Sequence, residues 1–136
     1  LWQPVEFPGI GVVAEPGAPA WFELHTMGYD AAISFYGDVF GWDIHTVSDV
    51  PEFRYSTFGK DDAGLAGIMD DAVHCPAGSP SFWTVYIAVE DADAIAARAK
   101  DLGGSVEMQP ENTPYGRLAV LTDTTGSRFS IMGENT

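Results

Sequence analysis

The feature that most constrains this chain is an internal repeat. When residues 20–74 are moved forward by 63 positions, Asp30 falls on Asp93 and Gly41 falls on Gly104. Identity between the copies is low, but one order of patterns returns: an alternating apolar strand, an Asp-led helix, a glycine stop and three short strands. Such a repeat indicates two copies of one small unit that share a core. The sequence therefore predicts two facing sheets with a concavity between them, where a functional site would lie.

The first copy predicts one strand, one helix and three further strands. Residues 21–26 alternate between apolar and polar side chains, as in a half-buried strand. A helix is expected to begin at an Asp30 cap and to end at Gly41. Its buried stripe is expected to comprise Ala32, Phe35, Tyr36, Val39 and Phe40. The strands that follow are placed around residues 43–47, 53–58 and 64–69, with turns at 48–49 and 60–62.

The second copy predicts the same order of elements. A strand is expected over residues 82–89, and a helix capped by Asp91 or Asp93 is expected to run to Leu102. Two glycines then stop this helix. The remaining strands are placed near residues 105–109, 118–122 and 128–132, with a tight hairpin turn at 123–126.

The repeat also sets the expected domain boundaries. Residues 1–19 are rich in Pro and Gly, which predicts an N-terminal arm or linker. Residues 20–136 are expected to form a single domain, with repeat units at about 20–74 and 80–134. The chain begins at Leu1 rather than Met, so we expect a fragment or an excised domain of a longer protein.

Charge and cysteine content narrow the function classes. The formal net charge is −14 and only six Lys and Arg residues occur, so neither nucleic acid nor an anionic membrane is an expected partner. No apolar run approaches the ~20 residues that a membrane-spanning helix needs. Cys75 is the single cysteine, so no internal disulfide forms, which favours a cytoplasmic location.

Three segments carry a resemblance to a known family. They read FYGDVFGW at 35–42, IAVEDAD at 87–93 and GRLAVLTD at 116–123. Together they resemble the vicinal oxygen chelate superfamily, which includes glyoxalase I, bleomycin-resistance proteins and extradiol dioxygenases. The resemblance covers residues 20–133 and implies an α+β fold of two βαβββ units, with facing curved sheets around a cleft.

Enzymes of this superfamily typically hold one divalent metal through His, Gln or Glu residues on the first and last strands of each unit. Carried over one position at a time, this pattern falls on Trp21, Gly67, Thr84 and Ser130, with Trp83 as the alternative to Thr84 if the register is shifted by one residue. None of these four residues is a usual metal ligand. The resemblance therefore implies a metal-free protein that binds a small organic ligand, so no cofactor is expected, and a divalent metal is the disfavoured alternative.

Two polar residues keep an enzymatic alternative open. Glu23 and His25 share one predicted strand face, where they could act as an acid–base pair or as half of a metal site in a lyase, an isomerase or a dioxygenase. The residues expected to line the ligand site are Trp21, Glu23, His25, Met69, Thr84, Tyr86, Tyr115, Arg128, Ser130 and Met132. The start of the chain, Leu1-Trp2-Gln3, resembles the seam between two such domains in tandem proteins. This resemblance implies the C-terminal domain of a double-length protein or a close single-domain relative. A homodimer or a tandem second domain is therefore the expected protein partner.

Overall fold

The computed structural model describes residue 6 and residues 9–60 and 64–136. These residues form two compact units. We call residues 21–85 the N-unit, and the described residues before 21 and after 85 the C-unit. Most of the predicted N-terminal arm, residues 1–5 and 7–8, and part of the predicted turn at 60–62 lie outside the described residues.

The N-unit contains one helix and a mixed sheet. Its elements are β1 (Pro19–Thr26, which starts in the C-unit), α1 (Tyr29–Phe40), β2 (Ile44–Val50), β3 (Phe53–Phe58) and β4 (Ala66–Asp70). The strand order is β2-β3-β4-β1, in which the first and last strands of the unit pair in parallel. The carboxyl ends of these two strands therefore meet at the same edge of the sheet.

The C-unit repeats this arrangement. Its elements are β5 (Phe82–Ala88, which starts in the N-unit), α2 (Ala92–Asp101), β6 (Ser105–Thr113), β7 (Gly116–Thr122) and β8 (Arg128–Gly133). The strand order is β5-β8-β7-β6, again with a parallel pair formed by the first and last strands. The predicted α+β fold of two βαβββ units is confirmed.

Strand register shows how closely the two copies correspond. Glu23 pairs with Gly67 in the N-unit. The residues 63 positions later, Tyr86 and Ser130, pair in the C-unit. The antiparallel pairing between the third and fourth strands of each unit keeps the same offset. Backbone pairing has thus been preserved in both copies, although few side chains are shared.

Each unit has its own apolar core between its helix and its sheet. In the N-unit, Leu24, Tyr29 and Ile68 are buried together. In the C-unit the buried residues are Ala92, Ala96, Ala119, Leu121 and Ile131. Full burial of an aliphatic side chain such as Ile68 stabilises the folded state by about 1.5–3 kcal/mol. The opposite face of the N-unit sheet is therefore available to polar side chains.

The predicted buried stripe of α1 is wrong in three positions. Phe35, Val39 and Phe40 are 57%, 54% and 52% exposed. The face that packs on the sheet instead begins with Tyr29, whose hydroxyl lies 2.6 Å from Ser56 Oγ. Ala32, Ile33 and Tyr36 continue this packed face, so Phe35, Val39 and Phe40 lie outside the core.

The ends of the helices were partly predicted. Gly41 adopts a left-handed φ of 65° at the end of α1, as expected. The Asp30 cap is wrong, because Gly28 is the N-cap and Asp30 binds Arg54 at 2.7 Å instead. Asp91 caps α2 by accepting a hydrogen bond of 2.9 Å from the Ala94 N–H.

Two strands run further than predicted. The residues expected to form a turn at 48–49 belong to β2, which continues through a register shift between Thr46 and Ser48. Strand β6 continues to Thr113 rather than ending near residue 109. The hairpin turn at 123–126 is confirmed, with the Gly126 N–H donating to the Asp123 carbonyl.

Within the described residues, no helix is both long and apolar enough to cross a bilayer.

The cap of α2 provides a test of the local structure. Asp91→Ala removes the acceptor for the Ala94 N–H, so the free energy of unfolding should fall by about 0.5–2 kcal/mol in urea denaturation. Asp101→Ala, at the exposed end of the same helix, is the matched control and should change it by less than about 0.5 kcal/mol. Equal effects of the two substitutions would contradict the assigned cap.

Candidate functional site

The polar face of β1 carries the candidate site. Strand alternation places Leu24 in the core of the N-unit and turns Trp21, Glu23 and His25 to the opposite face. Three residues from other elements of the N-unit join them there. We call the resulting group the His25 cluster, and its members are Trp21, Glu23, His25, Tyr55, Asp71 and Phe82.

His25 lies between two carboxylates. Its Nε2 is 3.1 Å from Glu23 Oε1, and its Nδ1 is 3.0 Å from Asp71 Oδ2. Asp71 reaches this position because it directly follows β4, and its N–H donates to the Thr26 carbonyl at the end of the neighbouring parallel strand. All three side chains are largely buried, and that of His25 is 15% exposed.

This geometry determines the charge of His25. Burial by itself lowers the pKa of the imidazole, but the hydrogen bonds and charges of Glu23 and Asp71 outweigh it and raise the pKa above its ordinary value. With both ring nitrogens donating to carboxylates, the protonated imidazolium is the favoured form. Neither nitrogen then offers a lone pair to a metal ion.

Glu23 is held from its other side by two aromatic residues. The Tyr55 hydroxyl donates to Glu23 Oε2 at 2.6 Å, and the Trp21 indole N–H donates to the Tyr55 oxygen at 3.1 Å. A continuous chain of hydrogen bonds therefore runs from Trp21 through Tyr55, Glu23 and His25 to Asp71. Such a network holds the carboxylate and the imidazole in one orientation.

Strand β5 supplies the last member of the cluster and a neighbouring hydroxyl. The Phe82 ring stacks on the His25 ring, with centroids 4.9 Å apart and planes within 7°. Thr84 follows two residues later, so alternation places it on the same face as Phe82. Thr84 is buried, and no described residue hydrogen-bonds to its Oγ1.

The residues of this face do not fit the metal that the fold family implies. A side chain at Gly67 would begin 2.0 Å from the Tyr55 hydroxyl oxygen and 3.0 Å from Trp21 Nε1. The space above one expected ligand position is therefore filled by the Tyr55 hydroxyl, and another expected position is Trp21 itself. Within the described residues, no group of three or more His, Cys, Asp or Glu residues has a geometry suited to a metal ion.

Five of the residues expected in the ligand site lie in the N-unit. Trp21, Glu23 and His25 belong to the His25 cluster, and Thr84 lies beside it. Met69 is half-buried on β4, where it pairs with His25 on one side and with Tyr55 on the other. The N-unit therefore brings these five predicted residues to one region.

The other five lie in the C-unit. Tyr86 on β5 and Ser130 on β8 are paired with each other, and Ser130 is buried. Met132, also on β8, is half-buried, whereas Tyr115 is 60% exposed at the turn before β7. Arg128 forms an ion pair with Glu107 at 3.0 Å. Their assignment to a ligand site stays a prediction.

Sequence reasoning missed three members of the cluster: Tyr55, Asp71 and Phe82. A signal for Asp71 existed, since two consecutive carboxylates, Asp70 and Asp71, mark the end of the last strand of the first copy, and this strand pairs in parallel with the strand that carries His25. No local pattern indicated Tyr55 or Phe82. Their roles depend on the register of the sheet, which places them beside Glu23 and His25.

The contact above Gly67 can be tested by adding a methyl group. Gly67→Ala should lower the free energy of unfolding by about 1–3 kcal/mol, because the new Cβ overlaps the Tyr55 hydroxyl. Gly37→Ala in α1, where a Cβ would meet only Ile44 Cδ1 at 3.9 Å, should instead raise it by about 0.5–1 kcal/mol. Comparable stability of both variants would mean that Tyr55 does not occupy this space.

The charge of His25 should make stability depend on pH. A raised folded-state pKa means that the contribution of His25 is complete below about pH 6.5, its ordinary pKa, and is lost as pH rises through the folded-state value. His25→Gln should therefore cost about 3 kcal/mol at pH 6, since two buried carboxylates lose their partner, and less at pH 9. Urea denaturation across this range measures the difference.

The exposed His74 is the matched control for this measurement. His74→Gln should change the free energy of unfolding by less than about 0.5 kcal/mol, because it replaces only an exposed side chain. If His25→Gln costs the same at every pH in this range, the imidazole is not protonated in the folded state.

Known proteins resemble this chain in sequence and in fold. A family model described as the Glyoxalase/Bleomycin resistance protein/Dioxygenase superfamily matches residues 18–131. Anthracycline biosynthesis protein DnrV of Streptomyces peucetius is 38% identical over 128 residues, which cover 85% of this chain and 46% of that protein. The Mycobacterium tuberculosis protein named "Putative glyoxylase CFP32" is 38% identical over 133 residues, covering 97% of this chain and 50% of that protein.

Solved structures agree on the fold. A variant of Streptomyces coelicolor methylmalonyl-CoA epimerase, in complex with 2-nitronate-propionyl-CoA, aligns with a TM-score of 0.61 at 18% identity, over 90% of this chain and 97% of that chain. At this identity the likeness extends to the fold alone. The chain spans about half the length of the curated relatives described above. The family model, the relatives and the two βαβββ units together establish that this chain belongs to the Glyoxalase/Bleomycin resistance protein/Dioxygenase superfamily.

Proposed function

We propose that this chain is a metal-independent domain that binds a small, flat organic molecule at the His25 cluster. The observation that carries the proposal is the position of the Tyr55 hydroxyl, which fills the space above Gly67 while its own proton goes to Glu23. A metal ligand cannot be accommodated at Gly67 without displacing Tyr55 and breaking the network that holds Glu23. The face is therefore arranged for hydrogen bonding and stacking.

The chemistry of the cluster supports an aromatic ligand. Trp21, Tyr55 and Phe82 contribute ring surfaces around a charged imidazole, and binding sites for organic molecules usually combine such apolar walls with a few oriented polar groups. A relative that is 38% identical is named an anthracycline biosynthesis protein. Anthracyclines are flat polycyclic aromatic compounds, and we propose that this domain binds a ligand of that general class.

A second candidate function is supported by the position of His25 between two carboxylates. The imidazolium can deliver a proton, and Glu23 and Asp71 stabilise its charge, so the cluster has the composition of an acid–base catalyst. Another relative carries the name of a glyoxylase. The two candidates differ in the effect of His25→Gln, which would abolish turnover of a substrate in an enzyme and would only weaken binding in a binding domain.

The proposal extends to partners and location. A net charge of −14 supports a protein with neither nucleic acid nor an anionic membrane as a partner. The curated relatives are about twice as long as the segment that this chain matches, which supports a second βαβββ domain or a second copy as the protein partner. A single cysteine supports a cytoplasmic location.

Binding of a flat probe provides the test. We expect 2-hydroxyanthraquinone to bind with the same affinity in EDTA as in Zn²⁺, Ni²⁺ or Mn²⁺, as measured by isothermal titration calorimetry. Trp21→Ala should weaken binding by about tenfold or more, corresponding to about 1.4 kcal/mol of lost stacking and hydrogen bonding. Trp83→Phe is the control, since Trp83 lies on the opposite face of β5 from Phe82, and it should bind as the wild type does.

Two outcomes contradict the proposal in different ways. A stoichiometric divalent ion that stays with the protein through gel filtration would overturn metal independence. Failure of the wild type to bind any flat aromatic probe would overturn the ligand class.

A further inference from the structure

Helix α1 carries apolar side chains on two faces. One face packs on the sheet of the N-unit and begins with Tyr29. The other lies at the surface, where Phe35 and Val39 are 57% and 54% exposed and Ala31 is exposed as well. These three residues recur every fourth position, so they form one strip along the helix, which we call the α1 strip. A helix that is apolar around most of its circumference is normally covered on all of its apolar faces.

Aromatic side chains widen the α1 strip. The Phe35 and Tyr36 rings meet edge-on with centroids 5.2 Å apart, and Tyr36 stacks with Phe40 at 6.2 Å. The Trp83 indole N–H donates to the Tyr36 hydroxyl at 2.8 Å, which adds a ring that is 42% exposed. The exposed fractions of these rings and of Val39 amount to roughly 400 Å² of apolar surface, since an aromatic side chain presents about 150–250 Å². Contiguous apolar patches of this size are commonly interaction surfaces.

The second copy of the repeat shows a different outer face. The residue 63 positions after Phe35 is Arg98, and both are exposed. Lys100 and Asp101 are exposed on the same helix, so α2 meets water with charged side chains. The contrast is specific to position 35, since the counterpart of Val39 is the exposed Leu102. An aromatic ring where the equivalent helix carries a cation indicates that α1 is covered by a partner.

The dimensions of the α1 strip match a second copy of itself. Phe35 lies near the middle of α1, which runs from Tyr29 to Phe40. Two antiparallel α1 helices that cross at a two-fold axis near Phe35 place the small Ala31 of each copy beside the larger Val39 of the other. The strip itself carries no charge, which is typical of the centre of an interface.

We propose that the α1 strip is the surface through which two copies of this chain form a symmetric dimer. The inference rests on the proposed function, in which a second copy is one of two protein partners, and it names that partner and one surface. The patch supplies about half of the ~800 Å² that a standard interface takes from each partner. Polar residues recur every fourth position beside the strip and can form the rim of the interface: Asp30, Ser34 and Asp38.

Sedimentation equilibrium of the whole chain tests the dimer. The wild type should show a monomer–dimer equilibrium between about 1 μM and 1 mM. Phe35→Arg, which introduces the residue that α2 carries at the equivalent position, should weaken association by at least about tenfold, because it buries a charge at the two-fold axis. Ala31→Lys should weaken it similarly, and this exposed position tolerates the substitution if Phe35→Arg proves unfolded by circular dichroism.

Ala97→Arg is the matched control, since it adds one positive charge at an exposed position of α2. It should leave the dissociation constant within about twofold of the wild-type value. Salt gives a second measurement that needs no variant. Raising NaCl from about 0.01 M to 1 M shortens the Debye length from about 30 Å to 3 Å. Association of the wild type should strengthen, because the repulsion between two chains of charge −14 is screened.

Several outcomes would overturn the inference. They are a wild type that stays monomeric over this concentration range, a dimer that the folded strip variants leave intact, a dimer that Ala97→Arg disrupts, and association that weakens in salt. Ligand binding is a separate readout, because α1 packs on one face of the N-unit sheet and the His25 cluster lies on the other. Phe35→Arg should bind 2-hydroxyanthraquinone as the wild type does. Failure of the wild type to bind it would contradict the proposed ligand and leave the dimer standing.

Discussion

The candidate site depends on the burial of a charged imidazole between two carboxylates. Removing charges from water is costly, and the cost is met only where the partners are close and well oriented. His25 meets this condition because Glu23 lies two residues away on the same strand face and Asp71 follows the adjacent parallel strand. The parallel pairing of β1 with β4 is therefore the structural requirement for the site.

The absence of a side chain at Gly67 has a direct consequence for the same site. The Tyr55 hydroxyl occupies the space above it, where it can donate to Glu23 and accept from Trp21. A larger residue at this position would push Tyr55 away and leave one oxygen of Glu23 without that donor. Gly67 and Tyr55 are thus coupled: the missing side chain at Gly67 leaves a space that the Tyr55 hydroxyl fills. A metal ligand at position 67 would need this same space.

The two copies of the unit have kept their backbone pairing while their side chains diverged. At the positions equivalent to Trp21, Glu23, His25 and Gly67, the second copy carries Thr84, Tyr86, Ala88 and Ser130. Sheet register tolerates such changes because it depends on main-chain hydrogen bonds and on the alternation of apolar residues. The charged members of the His25 cluster, Glu23, His25 and Asp71, therefore all come from the first copy, and the proposed site is correspondingly asymmetric.

The sequence by itself determined the order of the elements and the existence of the repeat. It also determined the helix stops at Gly41 and after α2, and it narrowed the cap of α2 to Asp91 or Asp93, since stops and caps depend on residues within a few positions of one another. It also identified Glu23 and His25 as neighbours on one strand face. Only the tertiary structure decided that Asp71, 46 residues from His25, completes the cluster and that Tyr55 covers Gly67. It also decided that α1 packs through the face that begins with Tyr29, which leaves Phe35 exposed. These features depend on strand register and packing between distant residues, which a local pattern does not encode.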